Sequence, residues 1–489
     1  MPGLSTRVLS IVALTLVLFA LFSGIDILEL RAEEPRRALV ALEMWINAEY
    51  LVPTLHDWTY LNKPPLFNWI LLGFYKLFGA ADEWVVRLPG LLSFLLTGWL
   101  IYYFLKTRIE KEWAFLAMLG YWTSVDLLFY GAVNTGEIDL FFSLLIFVQA
   151  LWIYYFSEKE KWIWLFLGTY LLGAAAFLTK GIPAVLFTGF TLFGWLIWKG
   201  YWKKIFSWQH LLGLVIGLSP LVLYVYAYML EADLPLYLTA LVKDATRKSA
   251  AESSVLDILL HLFVFPLEVM VVILPWSILF LYLFSSRFIT MASRIPAFVP
   301  FFGFFILINI WVYWISPDTR NRYIYPFVPL LISLLFWLAA TVKKVKPNLV
   351  LWLVIGLSIA RITYNVIGMP HQQNLSDFLI YREHCKEMLA ITGDAPVYLI
   401  GEPECEEQTG NPVGSFYGIK EIWTPPLIPY QIPYYLSKSS KKVMSYQEKP
   451  IIGAYYLAEK EYASNFNPKI LYEFKENWIK NDLVLFKYE

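Results

Sequence analysis

Two adjacent carboxylates, Glu33 and Glu34, stand inside "RAEEPRR" (31–37), directly after an apolar run long enough to cross a bilayer. Farther along, "NTGEIDLFF" carries Glu137 and Asp139, "FLTKGIP" carries Lys180, and "YLNKPPLFNW" carries Lys63. "LVKDATRKS" carries Lys243, Asp244, Arg247 and Lys248, and "ISPDTRNRYIYPF" carries Asp318, Arg320, Arg322 and Tyr323. Carboxylates can act as general bases on a hydroxyl, and lysine or arginine can stabilise a departing phosphate. Taken singly, each has a plain structural use: a solvated loop charge, an interface anchor or a snorkelling side chain. An ionisable group at membrane depth costs about 2.5–3.5 kcal/mol on insertion scales, so it is usually paired or faces a cavity. Asp139, early in an otherwise apolar run, is the clearest case. Charges from separated segments, all predicted on one face of the membrane, point to a single polar cavity.

The elements that must position these groups are membrane helices. The chain has 489 residues, 58% hydrophobic and 16% charged, against roughly a quarter charged in soluble domains. Apolar runs at about 8–28, 88–106, 113–132, 138–156, 162–178, 182–199, 211–230, 257–285, 297–316, 323–341 and 348–367 predict about eleven spans. The first has no convincing cleavage site after it and reads as an uncleaved anchor. Between it and the next span, the pattern from Pro35 to Asn47 predicts an amphipathic helix on the membrane surface. Leu39, Leu42 and Ile46 share one face, and Arg36, Glu43 and Asn47 the other. "LFNWILLGFYKLFG" (66–79) is too short to span and reads as a second interfacial segment.

Lysine and arginine collect in alternate loops: Lys106, Arg108 and Lys111; Lys159 and Lys161; Lys199, Lys203 and Lys204; Arg287 and Arg294; Lys343, Lys344 and Lys346. By the positive-inside rule these loops and the N-terminus are cytoplasmic, and the C-terminal part lies outside. That part is polar, with short strand-like runs such as "APVYLI" and "NDLVLFKYE". The predicted architecture is a polytopic α-helical membrane domain over 1–368, with its first outer loop at 29–65, and a small extracytoplasmic α/β domain over 369–489. Cys385 and Cys405 both fall in the latter; a disulfide and two free buried thiols both fit.

Formal net charge is zero, and no basic stripe suggests nucleic acid. The chain shows no P-loop, no Gly-rich strand–turn–helix and no His/Cys set with zinc spacing. An outward-facing site inside lipid suits a donor that is itself a lipid.

The run "RAEEPRRALVALEMWINAEYLVPTLHDWTYLNKPPLFNWI" resembles the first outer loop of the GT-C lipid-linked-sugar glycosyltransferases. The similarity is to the branch of protein O-mannosyltransferases and the lipid A aminoarabinose transferase. Glu33-Glu34, Glu43-Met44, Val52-Pro53 and Lys63-Pro64 match that branch's landmarks in order. Asp139, "LTKG", "LPWSILF" and "RNRYIYPFVPLL" match further ones, so that about residues 10–340 are covered. Two departures stand out: the acidic pair is usually Asp-Glu, and Arg37 stands where an aromatic residue is common.

The resemblance implies an inverting transfer from a polyprenyl-phosphate sugar on the outer face, to a lipid, glycan or protein acceptor. Glu33 would be the base or acceptor-orienting carboxylate, with Asp139 on the acceptor side and Glu34 holding the loop. Lys63, Lys180, Arg320 and Arg322 would surround the leaving phosphate, with Glu137, Lys243, Arg247 and Tyr323 as further candidates. No cofactor is expected; a divalent cation is compatible with the outer carboxylates but not required. The rival is a lipid or sugar transporter lined by the same residues, although the inverted repeats that such a protein should show are not found.

Overall fold

A computed structural model of the chain describes residues 5–130, 136–247, 254–284, 295–317, 319–371, 381–401, 428–475 and 482–489. Helices dominate. In chain order they begin with α1 (Thr6–Phe22), α2 (Glu34–Asn47), α3 (Leu66–Phe78), α4 (Glu83–Leu105) and α5 (Lys111–Trp122). Next come α6 (Asp139–Glu158), α7 (Trp162–Lys180), α8 (Ile182–Trp198), α9 (Trp208–Glu231) and α10 (Leu234–Arg247). They continue with α11 (Val255–Val272), α12 (Trp276–Phe284), α13 (Phe298–Trp314), α14 (Val328–Val342) and α15 (Pro347–Thr363). Among the described residues of the C-terminal part are α16 (Tyr381–Thr392), α17 (Gln431–Ser440) and a single helical turn, Lys460–Ala463.

Among the described residues, six helices are long and apolar enough to cross a membrane: α4, α6, α7, α9, α11 and the stretch from Pro347 to His371. Shorter apolar helices, α1, α8, α13 and α14 among them, accompany these. Two of the predicted spans are broken. The run at 113–132 ends its α-helix at Trp122 and resumes as a π-helical turn, Asp126–Tyr130. The run at 257–285 breaks between α11 and α12 at Pro275, which has no N–H to continue the ladder. There the Leu274 carbonyl accepts from Val125 N at 2.8 Å.

The chain divides into two compact units that interleave along the sequence. The first comprises 1–25, 87–224 and 245–368, an apolar helical bundle whose continuous core includes Phe94, Phe142, Phe187, Trp195, Trp276, Phe302 and Phe336. Within it α9 presents His210, Gly213 and Gly217 to α7. A Cβ on Gly213 would stand 2.5 Å from Phe166 Cβ, and one on Gly217 would stand 2.6 Å from Tyr170 Cβ. Small residues at this spacing let helix backbones approach in an apolar solvent, where dispersion and hydrogen bonds replace the hydrophobic effect. His210 Nε2 meets the Tyr170 hydroxyl at the same seam.

The second unit comprises 26–86, 225–244 and 369–489, and so joins the first outer loop to the C-terminal part. Its strands are β1 (Thr54–Leu55), β2 (Trp58–Thr59), β3 (Val397–Leu399), β4 (Tyr455–Glu459), β5 (Lys469–Phe474) and β6 (Leu483–Lys487). The last four form a sheet of order β3-β4-β6-β5, parallel only between β3 and β4. Tyr456, Ala458, Val484 and Phe486 make the core of one face. Cys385, on α16, is buried; Cys405 lies outside the described residues.

The surface-lying placement predicted for α2 is corrected here. Every residue from Glu34 to Met44 is buried, Arg36 and Glu43 included. The pattern suggested a solvated polar face because nothing nearby in sequence could cover it. The cover comes from α3 and from α17, about 390 residues downstream. The Tyr75 hydroxyl donates to Ala38 O at 3.2 Å. Gln431 Nε2 donates to Leu30 O at 3.1 Å, and Arg382 N to Glu29 Oε1 at 2.9 Å.

Buried Glu43 is used as an internal acceptor. The β1–β2 hairpin turns through His56 and Asp57, both at positive φ (58° and 63°), a primed turn that ordinarily favours Asn-Gly. Glu43 takes the His56 amide at 2.7 Å, the Asp57 amide at 3.4 Å and the Thr54 hydroxyl at 2.8 Å. The His56 ring donates from Nδ1 to Met444 O at 3.1 Å, which fixes its tautomer.

Two predictions follow from this packing. Gly213→Leu and Gly217→Leu force α9 away from α7 and cost about 1–3 kcal/mol, visible as a lower thermal midpoint in detergent. Gly189→Ala and Gly303→Ala, where a Cβ meets nothing within 4 Å, do not lower it. If all four variants melt alike, the close-packing role is refuted.

The second concerns pH. Burial raises the Glu43 carboxyl from 4.5 to about 7, against the pull of Thr54 and the His56 amide. A folded value above the unfolded one means that the folded loop takes up a proton across that window. Its contribution to stability therefore falls as pH rises from about 4.5 to about 7. Glu29, also raised to about 7 by burial, acts in the same direction. His56, lowered to about 4 by burial, acts oppositely between about 4 and 6.5. Glu43→Gln removes one share of this dependence and turns an NH₂ donor toward amides that need an acceptor. Hydrogen-exchange protection at residues 54–59 should drop in the variant, with a flatter pH profile; an unchanged profile would exclude Glu43 as its source.

Candidate functional site

In the bundle unit, α6 begins at Asp139 and its neighbour α7 ends at Lys180. A carboxylate at a helix N-terminus and an ammonium at a C-terminus each complement the local macrodipole. Antiparallel packing then sets the two charges side by side, and Lys180 Nζ donates to Asp139 Oδ1 at 2.5 Å. Gly181, at φ 75°, is the single residue between α7 and α8, so the turn holds Lys180 close to both helices.

A second cation reaches the same carboxylate. Arg322, on the 3₁₀ turn Asn321–Tyr323 that precedes α14, donates from Nη1 to Glu137 Oε2 at 2.5 Å, and its Nε stands 4.0 Å from Asp139 Oδ2. Lys180 Nζ also lies 4.7 Å from the Tyr323 ring centroid and 5.0 Å from that of Phe142, within cation–π range. The cluster thus holds two carboxylates and two cations, formally neutral. Burial raises the Glu137 carboxyl, partly offset by Arg322. Desolvation alone would lower Arg322, but the carboxylates of Asp139 and Glu137 hold its guanidinium above the ordinary range.

The structure therefore brings together five of the residues singled out on the sequence: Glu137, Asp139, Lys180, Arg322 and Tyr323. Arg320, on the same turn, is exposed. Asp318, Lys248 and the Arg247 side chain lie outside the described residues.

Asp126 was missed. It opens the π-helical turn after α5 and is 4% exposed. Its carboxylate accepts from the Tyr325 hydroxyl at 2.6 Å and from Asn321 Nδ2 at 3.1 Å. The signal was available: an acid inside a predicted span deserved the same weight as Asp139.

In the loop unit, Glu33 is half-buried at the residue preceding α2 and pairs with Arg36 one turn on. Glu34, fully buried, accepts from Arg31 N at 3.1 Å. Arg37 donates to the Tyr60 hydroxyl at 2.5 Å. The arginines of "RAEEPRR" thus order the loop around its carboxylates, and Arg37 ties it to the Tyr60 hydroxyl. Lys63 is paired with Asp244 on α10, and Lys243 is half-buried on the same helix. Among the described residues, no group of three or more His, Cys, Asp or Glu could hold a metal ion.

Residues 62–226 match the family described as dolichyl-phosphate-mannose-protein mannosyltransferase. The undecaprenyl phosphate-alpha-4-amino-4-deoxy-L-arabinose arabinosyl transferase of Erwinia tasmaniensis is 28% identical over 200 residues, 39% of this chain and 36% of that protein. The corresponding transferase 1 of Proteus mirabilis is 30% identical over 199 residues, 39% of this chain and 35% of that protein. The matched stretch spans little more than a third of either relative's length. In three dimensions the chain is similar to the crystal structure of ArnT from Cupriavidus metallidurans bound to undecaprenyl phosphate. The TM-score is 0.69 at 15% identity, covering 99% of this chain and 98% of that one. The chain is accordingly a multi-pass membrane protein with the GT-C fold, and its residues 62–226 resemble the mannosyltransferase family domain.

Proposed function

We propose that the protein is an integral membrane glycosyltransferase that moves a sugar from a polyprenyl-phosphate donor to an acceptor on the outer face of the membrane. The observation that carries the proposal is the charge-balanced cluster of Glu137, Asp139, Lys180 and Arg322 beside the ends of apolar helices, with Asp139 and Lys180 buried and the other two half-buried. Burying an ion pair is costly, and a lipid-borne phosphate ester is a ligand that such a partly open cluster suits. The relatives named above, which take their sugar from undecaprenyl phosphate by name, support the same donor class.

In this proposal the carboxylates hold Lys180 and Arg322 ready while no donor is bound, and a phosphate takes their place on the cations. The acceptor oxygen attacks the anomeric carbon, and the bond from that carbon to the phosphate oxygen breaks. The polyprenyl phosphate leaves with the electron pair, stabilised by lysine and arginine, and the sugar is inverted. Glu33 takes or orients the acceptor proton, Glu34 fixes the loop, and Asp139 serves the acceptor side. Lys63, released from Asp244, and Arg320 add positive charge for the phosphate. No metal is required, because a monophosphate leaving group is matched by the cations alone. The N-terminus is cytoplasmic and the C-terminal part extracytoplasmic, with lipid, glycan or protein as acceptor.

The test is release of free polyprenyl phosphate by purified protein in lipid, with polyprenyl-phosphate sugars as donors and a membrane extract as acceptor source. Wild type should turn over with or without a chelator. Arg322→Gln should cost about 10²-fold or more. Glu33→Gln should cost about 10²- to 10⁴-fold for a hydroxyl acceptor, and far less if the acceptor is already an anion. No release by folded wild type from any donor would overturn the proposal in favour of a transporter. Loss of turnover on chelation would overturn the metal-free mechanism.

A further inference from the structure

We propose that Asp126 is a positioning residue for Arg322: it sets where the guanidinium stands without touching the reacting groups. The proposal rests on Arg322 serving as a ligand of the donor phosphate, as argued above. Asp126 holds the residue before Arg322 through Asn321 Nδ2 and the residue three after it through the Tyr325 hydroxyl. Tyr325 is gripped from the other side as well, since its carbonyl accepts from Ser143 Oγ at 2.9 Å. Ser143 lies one helical turn beyond Asp139 on α6, so the turn carrying Arg322 is referenced to the helix that carries its carboxylate partner.

Three features argue against a merely local tie. Asp126 is almost fully buried, and the two donors that the structure shows for it are neutral groups from one turn. A buried carboxylate held this way costs more than an apolar residue of similar size would. The Asp126 turn is π-helical, a geometry that recurs at functional sites, and its neighbour Val125 is tied to Leu274 O at the break between α11 and α12. The turn that places Arg322 is thus pinned by α6 and by the segment after α5.

The measurement is the affinity of the purified protein for polyprenyl phosphate in detergent, alongside KM and kcat for donor release. Asp126→Asn turns an NH₂ toward Asn321 or Tyr325 and should weaken polyprenyl-phosphate binding about ten-fold, raising KM for the donor more than it lowers kcat. Tyr325→Phe removes one donor and should weaken binding in the same direction, which keeps the test open should Asp126→Asn fold poorly. A double-mutant cycle supplies the readout that a structural role would not move. If Asp126 acts through Arg322, then Asp126→Asn adds little further loss in an Arg322→Lys background. Full additivity, or wild-type affinity in both Asp126→Asn and Tyr325→Phe, would overturn the inference. Wild type that binds no polyprenyl phosphate would instead overturn the donor proposed above.

Discussion

Charge that enters an apolar bundle must be met by charge from another helix, and the bundle unit is organised around that constraint. Asp139 opens α6, Lys180 closes α7, and hairpin packing brings those two ends together. The pair is favourable twice over, through its own attraction and through the two macrodipoles that it caps. It is also incomplete, because Asp139 has a second oxygen and Glu137 stands beside it. Arg322 answers both, at 4.0 Å and 2.5 Å. Once three segments converge on one carboxylate, the turn between α13 and α14 is no longer free to choose its conformation.

The loop unit solves a related problem with different chemistry. Its charged helix α2 is not left at a surface but enclosed, and its polar side chains become partners for backbone. Glu43 takes two amides of a primed turn built on His-Asp instead of the usual Asn-Gly. A carboxylate stabilises amides presented in succession at positive φ much as it does a helix N-terminus. The C-terminal part is integral to this enclosure. Tyr435 and Arg382 both reach Glu83, at 2.9 Å and 2.6 Å, so α16 and α17 belong to the loop's framework as much as to the sheet beside them.

The legible features of the sequence were the periodic and the local ones. Apolar runs announced the helices, Pro35 after two glutamates announced the start of α2, and the one-residue turn at Gly181 followed from spans with almost nothing between them. The order of the charged motifs marked the residues that meet around Asp139. What stayed hidden was long-range. The Glu137–Arg322 pair is separated by 185 positions, and no pattern in either segment specifies the other. The cover on α2 comes from α17, so an amphipathic pattern correctly predicted a helix and wrongly predicted its surroundings. Asp126, an acid inside an apolar run, carried the same local signal as Asp139, but its partners Asn321 and Tyr325 lie 195 and 199 positions away and nothing near it in sequence points to them.

Asp126 and Asp139 are both buried carboxylates at the start of a helical segment, yet their partners divide their labour. Asp139 is held by cations, and a cation can exchange one anionic partner for another without losing its charge compensation. Asp126 is held by an amide and a phenol, which are specific in direction but offer no such exchange. The first arrangement suits a site where anions come and go. The second suits a fixed point against which that exchange can occur. On the proposed function the bundle receives an anion inside a low-dielectric interior and uses both, exchangeable ion pairs and a rigid frame to hold them. The positions of Asn321 and Tyr325 on either side of Arg322 place that frame on the same short turn as the exchangeable charge.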